Sequence, residues 1–126
     1  MGHYAKVEDG VVTQVIVAQK DFIDEWHNDE TWLKTSYNTR GNVHYAPNSD
    51  EPDGGTAIRG NFAEVGGVYD KVNDVFYNQK PFESWTLDTS SWLWVAPIQY
   101  PNSATGYKWN ESAYQTDNTK GWESVV

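Results

Sequence analysis

The chain has no cysteine among its 126 residues, which removes a disulfide scaffold, a thiol nucleophile and a zinc ribbon from consideration. It is also short of cations. Nine Lys and Arg stand against eighteen Asp and Glu, for a formal net charge of −9. Binding to DNA or RNA needs clustered Lys and Arg against phosphate, and these nine are scattered, so no nucleic-acid partner is expected. No apolar run approaches a membrane span and no basic-then-apolar leader opens the chain, so a soluble product without a cleaved signal or membrane insertion is expected. Hydrophobic residues make up only 38%, below the usual share.

What the chain does have is rings. Seven Trp and eight Tyr, with four Phe, bring the aromatic share to 15%, so much of the buried area must come from side chains that keep a polar tip. Most of them fall between Gly66 and Trp122, in three copies of one short theme. Tyr69-Asp70, Leu87-Asp88 and Trp109-Asn110 each place an apolar residue before Asp or Asn, followed by polar residues and an aromatic return. Asp and Asn open turns by hydrogen-bonding their own backbone, and flanking aromatics favour paired strands. Three successive aromatic-rich β-hairpins are predicted. Pro81, Pro97 and Pro101 belong to the connectors, because proline cannot donate to a ladder. In the third copy T-D-N-T-K-G displaces the return residue, Trp122, so that hairpin is longer or interrupted.

Upstream, Asp9-Gly10 between two β-branched runs predicts an N-terminal hairpin. Asp21 is placed to cap a short helix carrying Phe22, Ile23 and Trp26, ending near His27 or Asn28. Thr31 to Tyr37 alternates as a strand. From Asn38 to Asn61, two prolines and four glycines among many Asn and Asp predict a long irregular surface arm, in which Val43 to Ala46 adds a strand to a neighbour. The fold class is mainly β with minor helix. The organisation is 1–37, a Pro/Gly-rich arm over 38–65, and a hairpin region over 66–126.

Reactive constellations are not evident. His3, His27 and His44 lack the spacing that would bring two onto one face, so no metal site is expected. His27 with Asp29 and Glu30 makes at most a carboxylate–histidine pair at a solvated helix end. Asn48 to Gly55 is oxygen-rich, but Pro52 and Gly54 stand where an EF-hand counted from Asp50 wants ligands. An acidic turn is the simpler reading. Gly66-Gly67 is followed by neither a helix start nor Lys-Ser/Thr, so no phosphate loop is expected. With no such constellation, neither an enzyme nor a cofactor is expected. Tyr69, Trp85, Leu87 and Trp109, with Trp92 or Trp94, are expected to form the cores of the hairpins. By alternation Trp92 and Trp94 share a strand face, with Leu93 on the other. Trp92, Trp94 and Tyr100 are the candidate interaction surface.

Several strings resemble small proteins encoded by tailed phages of marine bacteria, cyanophages among them. They are H-Y-A-K-V-E-D-G-V-V-T-Q-V-I-V-A, W-L-K-T-S-Y-N-T-R-G, V-H-Y-A-P-N-S-D-E-P-D-G-G-T-A-I-R-G-N-F-A and V-Y-D-K-V-N-D-V-F-Y-N-Q-K-P-F-E-S-W-T-L-D, and together they span nearly the whole chain. The resemblance implies a virion structural or accessory protein and brings no catalytic residues with it. Expected partners are then capsid, tail or fibre subunits or another copy of the chain, in the virion or in host cytoplasm during assembly. A glycan-binding module using exposed rings and a tail-fibre assembly chaperone are the alternatives.

Overall fold

A computed structural model describes residues 2–26, 31–102 and 105–125, with the backbone alone at Trp26. Strands hold 37% of the residues and helices 10%, so the chain is mainly β, as its sequence implies. It divides into two compact units, Met1–Gln79 with Asp88–Leu93, and Lys80–Leu87 with Trp94–Val126.

The first unit starts with β1 (Gly2–Glu8) and β2 (Val11–Ala18), an antiparallel hairpin. Asp9 (φ 52°) and Gly10 (φ 77°) both take the left-handed conformation that this two-residue turn requires. Helix α1 (Lys20–Trp26) follows, and the amides of Phe22 and Ile23 donate to Gln19 O. Asp21 therefore lies inside the first turn rather than capping it, where its charge suits the helix dipole. Ile23 is buried, whereas Phe22 is largely exposed. Strand β3 (Trp32–Thr35) pairs with the free side of β1. After β4 (Thr39–Arg40) and β5 (Val43–His44), which pair with each other, come β6 (Val68–Asp70) and β7 (Val75–Tyr77). The sheet order is β3-β1-β2-β6-β7, antiparallel throughout.

Strand alternation gives this sheet two apolar faces. Ala5, Val12 and Phe76 are buried on one, beneath Ala63 from the 38–65 segment, with Val7, Val15, Leu33 and Tyr69 around them. Tyr4 and Ala18 are buried on the other beneath Ile23 of α1, with Ile16 and Trp32 alongside. Burying a side chain the size of Phe76 contributes about 1.5–3 kcal/mol.

The 38–65 segment is irregular, as its composition implies, but it is fastened to the sheet. Thr35 and Thr39 are fully buried. Thr35 Oγ1 accepts from Ala63 N at 2.8 Å and Thr39 Oγ1 from Ile58 N at 3.2 Å. Asn61 is the hub. Its Oδ1 accepts from Gly41 N at 2.7 Å, while Nδ2 donates to Phe76 O at 3.0 Å and Trp92 O at 2.9 Å. The strand expected over Val43 to Ala46 thus pairs inside the segment, with β4.

The next hairpin, β8 (Thr86–Asp88) with β9 (Leu93–Val95), gives its Asp88–Leu93 tip to the first unit and its base to the second. The second unit contains β10 (Tyr107–Trp109), α2 (Glu111–Thr116) and β11 (Trp122–Ser124), with β10 and β11 paired so that Trp109 faces Trp122. The interruption expected in the third hairpin begins with α2, and the residues after it make a turn. Its core is almost all ring. Trp109 is buried, with Trp122 at 5.1 Å, Tyr114 at 5.5 Å and Trp85 at 6.0 Å between ring centres. Gly121 is buried, and a Cβ there would come within 2.3 Å of the Trp109 ring, so only glycine fits.

The three repeat positions share one physical device. Asp70 Oδ1 accepts from Asn73 N, Asp88 Oδ1 from Ser90 N and Ser91 N, and Asn110 Oδ1 from Ala113 N. In the first two copies this closes a turn; in the third it caps α2. No helix among the described residues is long and apolar enough to cross a membrane.

Candidate functional site

Trp92 lies in the turn before β9, with φ 59°, its amide donating to Asp88 O at 2.7 Å. The alternation expected to set it beside Trp94 on one strand face therefore does not apply, because a left-handed residue reverses the chain there. Its ring stacks on Tyr77, 6.2 Å away and 13° from parallel. Trp94 is the middle residue of β9 and is half-buried, between the exposed Leu93 and Val95. Tyr100 is 47% exposed, but its ring stands edge-on to Trp122 at 4.9 Å, and its hydroxyl accepts from Tyr107 N at 3.0 Å. Trp92 belongs to the first unit, Trp94 and Tyr100 to the second.

A ring cluster that sequence reasoning missed lies on the first unit. His3 stacks on Tyr37 at 6.2 Å, and Phe62 meets both rings nearly at right angles at 5.4 Å. His3 pairs with Val17 across the β1–β2 ladder. Tyr37 is 67% exposed and Val17 57%. The available signal was register: His3, Val17 and Thr35 share one sheet face, and Tyr37 follows two residues after Thr35.

The acidic loop over 48–55 is closed by pairing. Asp50 meets Arg40 at 2.7 Å, and Asp53 accepts from His44 Nδ1 at 2.8 Å. The Gly55 amide, then the imidazole, hold the Asp53 carboxyl below its ordinary value. The two carboxylates are engaged with different side chains of the β4–β5 hairpin. Among the described residues no group of three or more His, Asp or Glu is arranged to hold a metal ion. The pair expected from His27 with Asp29 and Glu30 lies outside the described residues.

Beside the first core, Val7, Leu33 and Tyr69 wall a hollow of about 580 Å³ with Asp9 and Lys71 among its lining. The Tyr69 hydroxyl donates to Asp74, which also meets Arg59 Nε at 2.9 Å. Burial and the bond to Asp74 raise the phenol, and the phenol's bond lowers the Asp74 carboxyl. The opposed shifts keep the proton on Tyr69, so the trio is a clamp rather than an acid–base pair at neutral pH.

In the second unit, Glu111 accepts from Ser84 Oγ at 2.6 Å, Gln115 Nε2 at 2.6 Å and Trp109 Nε1 at 2.9 Å. Those three donors, in the order Ser84, Gln115, Trp109, draw its carboxyl down to about 2. Beside α2 lie two open hollows of about 1090 and 350 Å³ whose linings share Ala113, Thr119, Lys120 and Glu123. Searches against protein-family models, curated proteins and solved structures find no match to this chain.

Proposed function

We propose that this chain is a non-catalytic structural or accessory protein of a tailed-phage particle, working by contact with other protein subunits. The observation that carries the reading is exposed Tyr37, braced by the half-buried rings of His3 and Phe62, beside exposed Val17. Exposed aromatic groups with aliphatic neighbours are the usual anchors of protein interfaces. Here the rings brace one another, so little side-chain freedom remains to be lost on contact. The resemblance of the strings above supports the assignment to a virion.

The test is mass spectrometry of purified particles, with the Tyr37→Ser/Val17→Ser chain compared with the parent. The variant is expected to fold, by circular dichroism, and to fall at least about tenfold in particles. A folded parent chain missing from particles, or a variant retained at parental level, overturns the reading.

A further inference from the structure

We propose that two copies of this chain join their sheets by antiparallel pairing of β2 with β2, about a two-fold axis through Ile16. The inference concerns an open sheet edge and does not rest on the particle role.

The direction of the backbone groups follows from the ladder. Bonds across an antiparallel pair alternate along each strand. Val7 N donates to Thr31 O, on the β3 side of β1, so Tyr4 and Lys6 turn to β2. Their partners Ile16 and Gln14 face β1 in return, and Val15 and Val17 direct N–H and C=O away from it. On that side β2 meets β6 only at its start, where Val11 pairs with Val68 and Val12 bonds to Gly66 and Gly67. Beyond Val12, the backbone groups of Val15 and Val17 have no hydrogen-bond partner among the described residues.

The outer strands of the sheet, β3 and β7, are treated differently. Arg59 Nη1 donates to Lys34 O of β3 at 2.9 Å. On β7, Phe76 N donates to Arg59 O, and Phe76 O accepts from Asn61 Nδ2. A strand edge that must stay unpaired is usually guarded by charge, proline or a covering segment. Residues 11–19 read V-V-T-Q-V-I-V-A-Q, without charge, proline or glycine. An open row of alternating donors and acceptors is completed by another extended strand.

That row suits its own copy. A two-fold interface must be self-complementary. With Ile16 facing Ile16, Val15 of each chain exchanges both bonds with Val17 of the other, so every open group is satisfied at once. One face then sets valine against valine and the other isoleucine against isoleucine, β-branched pairs that favour a sheet. The chain carries −9, and this uncharged stretch lets two copies meet without like charges opposite each other.

The experiment follows the full chain by sedimentation equilibrium and amide exchange between about 10 µM and about 1 mM. The expected result is a reversible monomer–dimer equilibrium. The Val15 and Val17 amides should gain about tenfold protection or more at the upper end, whereas Ile16, bonded to β1, is protected throughout. The chain has no cysteine, so Ile16→Cys brings a single thiol to the axis and should form an intermolecular disulfide under oxidised glutathione. Gln14→Cys should not, since this register sets the two thiol-bearing positions about 14 Å apart. Val17→Lys, at an exposed position, should weaken the dimer about tenfold or more with circular dichroism unchanged. Val15→Pro, which removes an outward N–H and no bond to β1, provides an independent variant with the same expectation. A monomer throughout, even one that captures foreign strand peptides, overturns the proposal. So do a dimer whose Val15 and Val17 amides exchange freely, equal crosslinking at both thiols, or association unchanged in both edge variants.

Discussion

Asn61 offers the sharpest test of how the 38–65 segment is held. Its side chain makes three hydrogen bonds, one received from Gly41 and two given to the carbonyls of Phe76 and Trp92. Asn61→Ala removes all three. At about 0.5–1.5 kcal/mol each, the loss is roughly 1.5–4.5 kcal/mol. The first unit, at about 85 residues, should lose about 4–8 °C of Tm per kcal/mol, so the fall should exceed about 6 °C. Asn61→Asp is the more discriminating change, because it conserves shape. It keeps the acceptor for Gly41 but sets an ionised carboxylate against two carbonyl oxygens. Its pKa should rise, since the protonated form alone can donate. The sign then follows: the penalty is smallest at acid pH and grows as pH increases through the raised pKa. Urea unfolding followed by tryptophan emission, at pH 4 and pH 7, reads both effects. If Asn61→Asp and Asn61→Ala each stay within about 0.5 kcal/mol of the parent at both pH values, the hub is not what holds the segment.

Three further outcomes follow from neighbouring features. Gly121→Ala should destabilise the second unit by about 1–3 kcal/mol or more, with loss of near-ultraviolet circular dichroism, because its methyl group meets the Trp109 ring. Glu111, with its carboxyl held at about 2, contributes stability that is present above about 4.5 and lost as pH falls towards 2; Glu111→Gln should flatten that acid limb in a melting-temperature profile. Thr35→Val conserves shape but leaves the Ala63 amide without its acceptor, which should cost about 1–3 kcal/mol by urea denaturation.

How much of this was legible in the sequence depended on the range of the interaction. Asp9-Gly10 and the Asp or Asn opening each hairpin act on their own backbone within two or three residues, so the turns could be read directly. The order of the 38–65 segment could not. Thr35 reaches Ala63 and Asn61 reaches Trp92 across gaps that composition does not reveal. Helix α2 was hidden because Asn110 matches the pattern of a turn opener, and the same side-chain geometry caps a helix. Trp92 misled for another reason: alternation assumes an extended backbone, and a left-handed residue breaks it. Of the candidate surfaces, the His3–Tyr37–Phe62 cluster needed the strand register.

The way the β8–β9 hairpin is shared has a bearing on dissection of the protein. The chain crosses from one unit to the other after Gln79, after Leu87 and after Leu93, so no single cleavage isolates either. A fragment beginning at Lys80 would carry off Asp88–Leu93 and leave Asn61 with an unclaimed donor. Limited proteolysis at any one of these crossings should therefore nick the protein without releasing a folded half.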